Sequence, residues 1–273
     1  MTEEFQVEQK HLDAEYFNIG IVGTNMAAQT LEYAFKHKPR NAVMVVDNIN
    51  HHIEDLIEFE PNITFLCNEV TMSDDDTVEA AELEDAILQL SAKTNSGIVI
   101  KTPLPMELVE RNCKNQKVVY YPDLYFGRDT IEAQLNVPYA CLGGSSPNST
   151  MAVAEIIHRF STFSIGHFHH ITPTEVCFIE QVTGAMLTVK SVFAAQLHDT
   201  VNEFGGDYHT IASILASDGR IGTHGLRQPN TDDTMGENSQ QAKNALRSLK
   251  KFSDRFTFLE ECGIMNDRYQ QRD

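Results

Sequence analysis

The sequence predicts an α/β protein with a doubly wound, mostly parallel sheet, followed by a smaller helical domain built on one long central helix. Two observations support this prediction. Short and almost continuous apolar segments alternate with helical periodicity in the first half of the chain, as strands covered on both faces by crossover helices require. Beyond Ser145 the pattern becomes helical, and its longest helical stretch runs from Thr174 to about Phe204.

Six segments have the composition of buried strands, and three shorter segments have helical periodicity. The predicted strands cover residues 16–22, 42–46, 63–67, 97–100, 117–121 and 139–142. The predicted helices cover residues 26–36, 78–93 and 150–160. The first strand ends at Gly23, where a tight turn leads into the first helix, and this order predicts a Rossmann-like domain.

The same patterns predict the domain boundaries. We expect a flexible acidic segment over residues 1–14, a dinucleotide-binding Rossmann-like domain over 15–148, a linking helix and strand over 149–172, and a helical domain over 173–273. The long helix carries apolar residues every three or four positions, begins near Pro173 and ends before Gly205. A helix of this kind serves as the spine of a domain or as a contact between two copies.

Composition limits the partners and the compartment. The 273 residues include 21 Lys plus Arg against 39 Asp plus Glu, a formal net charge of −18. Such a field repels nucleic acid phosphates and anionic membranes, so we expect neither as a partner. The longest apolar runs, such as GIVI at residues 97–100, are far short of the ~20 residues of a membrane span, and the amino terminus is acidic where a signal peptide is basic. Five scattered cysteines predict free thiols in a cytoplasmic protein.

The turn after the first strand is the strongest local signal for a ligand. It reads IGIVGTNMAA over residues 19–28, and the three small positions of a dinucleotide fingerprint are held by Gly23, Asn25 and Ala28. Thr24 and Met26 complete the turn. Asparagine tolerates the backbone angles of the turn, but its side chain reduces the close approach that a second glycine gives to a pyrophosphate. These five residues are the predicted NAD-binding turn.

Asp47 lies 24 residues after Gly23, at the end of the second predicted strand. A carboxylate there accepts hydrogen bonds from the ribose hydroxyls of NAD and disfavours a 2′-phosphate. The alternative is a vestigial turn in which Asp47 only caps the next helix. The sequence leaves both interpretations open.

Two polar clusters invite a metal interpretation, which we reject. His167 and His169 share a face of a strand and His170 points to the other face, without a carboxylate or cysteine at ligand spacing. The acidic run at residues 73–76 is typical of a solvated loop and helix start. We predict no metal site.

Five segments, in order, resemble the nucleotide-sugar 6-dehydrogenases, the family that includes UDP-glucose and GDP-mannose dehydrogenases. The first is GIVGTNMAA with Asp47, and the second is VIKTPLP at residues 99–105. The third is YPDLYFGRDTIEAQLNVPYACLGG at 121–144, which is similar to the family segment containing P-E-F. The long helix around Lys190 and ILASDGRIGTHGL at 214–226, similar to a D-x-R-I-G signature, complete the resemblance over about residues 16–230.

The resemblance implies an NAD-binding domain, a homodimer through the long helix and a nucleotide-sugar ligand. It implies that Thr102 contacts the cofactor, that Arg220 and Gly222 contact the nucleotide sugar, and that Asp123 takes the place of the first glutamate of P-E-F. We expect the family's carboxy-terminal nucleotide-binding domain to be missing from a chain of this length. The family chemistry transfers hydride to NAD, captures an aldehyde on a cysteine and hydrolyses the resulting thioester.

Several family positions have changed type. The cysteine position falls near Gly236, in a segment without cysteine, and the lysine and asparagine positions fall at Glu180 and Gly184. The threonine position falls at Pro103 and the second glutamate position at Gly127. Because a lost oxyanion donor costs about 3 to 4 kcal/mol of barrier and a lost nucleophile removes a route, we expect no four-electron oxidation.

Three functions therefore stay open on the sequence alone. The first is a catalytically silent protein that binds NAD(H), the second is an active NAD-dependent oxidoreductase on a nucleotide sugar or a smaller alcohol, and the third is a ligand-free structural protein. Cys262 would replace the nucleophile only if the carboxy terminus folded back over the nicotinamide, and Cys177 only if its side chain faced the cleft.

Overall fold

The computed structural model describes residues 16–68, 70–72, 78–124, 130–223, 225–226 and 257–270. The chain divides into two compact units, Met1–Phe178 and Ile179–Asp273. The acidic amino-terminal segment, the run at 73–76, Gly127 and the segment around Gly236 lie outside the described residues.

The first unit is built on a seven-stranded sheet. Its strands are β1 (Phe17–Val22), β2 (Asn41–Val46), β3 (Ile63–Leu66), β4 (Gly97–Ile100), β5 (Val118–Tyr120), β6 (Ala140–Gly144) and β7 (Phe168–Ile171). They pair in the order β7-β6-β5-β4-β3-β1-β2. Five neighbouring strands are parallel, in the spatial order β2, β1, β3, β4 and β5. Strand β6 runs antiparallel to β5, and β7 is parallel to β6. Two short pairs, Thr71–Met72 with Val78–Glu79 and Asn136–Val137 with Ser164–Ile165, lie outside this sheet.

Helices connect these strands and cover the sheet. They are α1 (Met26–Lys36), α2 (Ile49–Glu58), α3 (Ala81–Lys93), α4 (Met106–Asn112), α5 (Ile131–Leu135) and α6 (Pro147–Phe160). A large apolar cluster of the described residues joins β1, β3 and β4 to α1 and α6, and includes Ile21, Leu31, Phe65, Val99 and Ile156. The prediction of a doubly wound, mostly parallel, Rossmann-like sheet is confirmed.

The sheet contains one point at which the strand order reverses. β1 pairs with β2 on one side and with β3 on the other, so the crossovers after β1 and after β2 lead in opposite directions. In doubly wound sheets the crevice at the carboxyl ends of two such strands is the place where ligands bind. Here that crevice lies between the turn that follows β1 and the residues that follow β3.

The second unit is helical, as predicted. Within its described residues, its elements are most of α7 (Pro173–Glu203), together with α8 (Tyr208–Ala216) and α9 (Thr257–Gln270). The helix α7 ends before Gly205, whose φ of 71° suits a glycine that terminates a helix. A small buried cluster holds Ala194, Tyr208, Ala212 and Leu226, and the Tyr208 hydroxyl donates to the carbonyl of Leu226 at 2.7 Å.

Helix α7 is long and apolar enough to cross a membrane by length and composition alone. Half of its most apolar window is buried within the protein, and one such helix is weak evidence for a span. Among the described residues no other helix meets that criterion.

Candidate functional site

The turn after β1 requires glycine at position 23. Gly23 has φ of 121°, in the region that side chains rarely adopt, and its N–H donates to the carbonyl of Val46 at 2.8 Å. A Cβ there would lie 3.0 Å from the carbonyl carbon and oxygen of Cys67. The turn therefore holds β1, β2 and the end of β3 close together at the crevice.

Asn25 caps helix α1 and reaches across the crevice. Its backbone is extended, with φ of −69° and ψ of 175°. Its Oδ1 accepts from the N–H of Ala28 at 3.0 Å, and its Nδ2 donates to the carbonyl of Cys67 at 2.6 Å. Ala28 is buried, in agreement with a small residue at the third position of the fingerprint. One side chain thus links the turn after β1 with the residue after β3.

Thr24 and Met26 form the outer part of the same turn. Thr24 is exposed, and its carbonyl accepts from Nε2 of Gln29 at 2.8 Å. Met26 and Ala27 begin α1, so their N–H groups have no partner inside the helix. These groups carry the partial positive charge of the helix and suit an anion.

Asp47 follows β2 directly and lies in an open groove. Its side chain is 71% exposed, and its Oδ1 lies 3.5 Å from Nε2 of His52, whose Nδ1 lies 2.9 Å from Oδ2 of Asp55. Thr24, Glu58 and Phe59 are further members of the groove wall. The carboxylate is therefore accessible at the carboxyl end of the sheet, one strand away from the crevice.

Thr102 is a buried residue, and its hydroxyl is used by the backbone. It donates to the carbonyl of Asn68 at 2.5 Å and lies 3.3 Å from the carbonyl of Leu66, so it ties the segment after β4 to the end of β3. Nearby, Oδ1 of Asn68 is buried and accepts no hydrogen bond from the described residues. The structure thus places Thr102 beside the crevice as a support for its floor.

Asp123 lines a second, small cavity of the first unit, of about 30 Å³, at the carboxyl ends of β4 and β5. Lys101 and Tyr121 also line it, and Nζ of Lys101 lies 3.8 Å from the centre of the Tyr121 ring. Thr30 of α1 donates to Oε1 of Gln134 of α5 at 2.9 Å on another wall. Sequence reasoning missed Lys101, although a lysine directly after an apolar strand was a usable signal.

Arg220 and Gly222 belong to a turn of the second unit. Arg220 pairs with Asp218, at 2.5 Å between Nη2 and Oδ2, and its side chain is 89% exposed. These hydrogen bonds hold the pKa of Asp218 below its ordinary value. Gly222 has φ of 72°, and Nζ of Lys190 on α7 donates to the carbonyl of Ile221 at 2.8 Å. The motif therefore forms a turn that is tethered to the long helix.

The five cysteines are all buried, and none of them forms a disulfide bond. Burial raises the pKa of Cys67 and of Cys113 to about 12. The Cys177 thiol donates to the carbonyl of Leu104 at 3.6 Å, and burial, followed by the charge of Glu261, raises the pKa of Cys262. None of these thiols has the exposed, electropositive surroundings of a reactive cysteine.

Two of the altered family positions are buried in α7. Glu180 is 8% exposed, and Gly184 is also buried. The carboxylate and the glycine thus occupy helix positions where the resemblance implies a lysine and an asparagine.

The histidines lie at and before the edge strand β7. The rings of His167 and His169 share a face, with centroids 4.6 Å apart, as the sequence predicted. Nδ1 of His170 lies 3.1 Å from the Thr150 hydroxyl, and burial, followed by the charges of the other two histidines, lowers its pKa. In the described part of the chain no three potential metal-ligating side chains come together.

Sheet, crevice and long helix together define a fold shared with dehydrogenases of the nucleotide-sugar type. UDP-D-ManNAc dehydrogenase from Pyrococcus horikoshii aligns with a TM-score of 0.70 at 14% identity, over 93% of this chain and 69% of that one. A UDP-glucose dehydrogenase from Pyrobaculum islandicum aligns with a TM-score of 0.68 at 14% identity, over 94% and 68%. GDP-mannose dehydrogenase from Pseudomonas aeruginosa aligns with a TM-score of 0.62 at 11% identity, over 92% and 68%.

These alignments confirm, at the level of fold, the resemblance indicated by the sequence motifs. No model of a protein family and no curated protein matches the sequence. The chain spans about two thirds of the length of the solved structures it resembles.

Proposed function

We propose that this protein binds NAD(H) at the carboxyl end of its parallel sheet. The observation that carries the proposal is the accessible Asp47 carboxylate, which lies in a groove one strand away from the Gly23 turn and the strand-order reversal. In a doubly wound fold this arrangement suits the ribose hydroxyls of an adenosine. The fold shared with the solved dehydrogenases supports the same ligand class.

The residues fit the adenosine side of NAD better than its phosphate side. Asp47 would hold the ribose, and the first N–H groups of α1 would face the phosphates, but Asn25 stands where the fingerprint has its second glycine. When bound, NAD supplies a hydride acceptor. Asp123 and Lys101 line the nearby cavity, where they would orient a polar group and hold charge.

We further propose that the four-electron oxidation is lost. The support is the set of buried thiols, whose pKa values are raised, together with the buried Glu180 and Gly184 on α7. Arg220 and Gly222 remain candidates for contact with a nucleotide sugar, because the turn that holds them is well formed. Their test is calorimetric titration with UDP-sugars, in which Arg220→Ala should weaken any binding.

Isothermal titration calorimetry with NAD⁺ and NADP⁺ tests the main proposal. Asp47→Ala should weaken NAD⁺ binding by about 1 to 3 kcal/mol, because a ribose hydroxyl would lose its charged acceptor. Asp85 is an exposed carboxylate on α3, so Asp85→Ala is the matched control and should leave the affinity for NAD⁺ unchanged. If the wild type does not bind NAD⁺, or if Asp47→Ala binds it as tightly as the wild type does, the proposal is rejected.

A separate assay tests the loss of the four-electron oxidation. NADH absorbance should not rise when the protein is mixed with NAD⁺ and nucleotide sugars, and robust turnover would reject this second proposal.

We also propose that two copies associate through α7. Three apolar side chains of its second-unit part, Val182, Met186 and Phe193, are 51%, 57% and 59% exposed. Their spacing of four and seven residues puts them on one face of the helix. An exposed apolar stripe of this kind is typical of a surface that another protein covers.

A further inference from the structure

The crevice at the strand-order reversal is bridged by one side chain. Asn25 lies in the turn after β1, and its Nδ2 donates at 2.6 Å to the carbonyl of Cys67, the residue that follows β3. Since β1 and β3 are the two strands that flank the reversal, this hydrogen bond crosses the gap in which a doubly wound fold holds its ligand.

The same side chain also takes the place of an anion at the helix terminus. A phosphate at the start of α1 would accept from the first backbone N–H groups of the helix. Ala28 supplies the third of these, and its N–H already donates to Oδ1 of Asn25 at 3.0 Å. The carboxamide must give up both of its hydrogen bonds before a phosphate can occupy its position.

Negative charge in the adjoining groove also disfavours the binding of a phosphate. Asp47, Asp55 and Glu58 all line the groove, and His52 is the basic side chain among the described residues of its wall. Nε2 of His52 lies 3.5 Å from Oδ1 of Asp47 and its Nδ1 lies 2.9 Å from Oδ2 of Asp55, so both ring nitrogens face carboxylates. An anionic ligand therefore meets a negative surface beside a capped helix.

We infer that Asn25 determines the ligand class of this site: the crevice takes the adenosine part of a nucleotide and gains little from its phosphates. The inference rests on the proposed function, because it assigns the same site. It makes Asn25 a residue that sets specificity, acting through the two hydrogen bonds of its carboxamide.

The test compares adenosine, ADP and NAD⁺ by calorimetry on the full chain. For the wild type we expect the three dissociation constants to agree within about threefold, because phosphates add no strong hydrogen bond. In Asn25→Gly the phosphate position opens, and ADP and NAD⁺ should bind at least about tenfold tighter than adenosine. The quantity measured is the ratio of the adenosine and ADP constants within each protein.

Two further variants separate the hydrogen bonds. Asn25→Ser can still cap Ala28 but is too short to reach Cys67, so its ratio should lie between those of the wild type and Asn25→Gly. Asn25→Asp keeps an acceptor for Ala28 and adds negative charge, so ADP should bind no better than adenosine. Far-UV circular dichroism and melting temperature check folding, and Asn25→Ser serves if Asn25→Gly does not fold.

The outcomes distinguish the two proposals. Wild-type protein that binds ADP at least about tenfold tighter than adenosine would overturn the role of Asn25 while NAD(H) binding stands. An unchanged ratio in both Asn25→Gly and Asn25→Ser would also overturn it. If none of the three ligands binds the wild type, the proposed function fails and the inference fails with it.

Discussion

Gly23 lies so close to Cys67 that a Cβ at position 23 would stand 3.0 Å from both atoms of the Cys67 carbonyl group. Gly23→Ala would combine this contact with a φ of 121°. We expect a loss of unfolding free energy of at least about 2 kcal/mol. Urea denaturation measures it. Gly219→Ala is the control, because its Cβ would meet no atom within 4 Å, and equal stabilities of the two variants would contradict the prediction.

Thr102→Val should destabilise the first unit. The valine keeps the shape but removes the buried hydroxyl that donates to the carbonyl of Asn68, so a part-buried acceptor loses its partner. We expect a cost of about 1 to 3 kcal/mol in urea denaturation. Thr200→Val removes an exposed hydroxyl whose acceptor lies within the same helix, and it should cost less than about 0.5 kcal/mol. If Thr102→Val left the free energy of unfolding unchanged, the hydroxyl would not support the crevice.

Met186→Glu should separate a homodimer formed through α7. A carboxylate in the middle of the exposed apolar stripe would lose its hydration at an interface. Sedimentation velocity should show a dimer for the wild type and a monomer for the variant. Asn202→Asp adds the same charge at an exposed polar position on the opposite face of the helix and should leave the dimer intact. A monomeric wild type would reject the association.

The buried thiols should resist alkylation. Folding raises the pKa of Cys67 and of Cys113 from an ordinary value of 9.0 to about 12, since burial penalises the thiolate. The stability that these neutral thiols contribute is therefore complete below pH 9 and is lost as the pH rises toward 12. Iodoacetamide at pH 8 should label native protein slowly and all five cysteines in denaturant. Rapid native labelling of Cys67 would contradict the burial.

Much of the first unit follows from local pattern. Helix α1 has the predicted limits, Met26–Lys36, because Asn25 caps its start. Helix α3 begins at Ala81, three residues later than predicted, since Val78–Glu79 forms a short strand and Ala80 offers no side-chain cap. Helix α6 begins at Pro147, three residues earlier than predicted, because Ser146 caps it and proline suits the first turn.

The site could be predicted only as a set of positions. Gly23, Asn25 and Asp47 are recognisable from spacing, because each follows an apolar strand. The hydrogen bond from Asn25 to Cys67 joins residues 42 positions apart and depends on the pairing of β1 with β3. The edge strand β7 lies within the predicted linking helix and strand at 149–172, but its bounds could not be predicted, since His169 and His170 interrupt the apolar pattern of a strand.

The division between the two compact units falls inside helix α7, at Phe178 and Ile179. A polypeptide that stopped at this point would retain only the first six residues of the helix, fewer than an isolated helix needs to persist in water. Proteolysis there would destroy an element belonging to both halves, so dissection of the protein into separately expressed fragments should use break points outside residues 173–203.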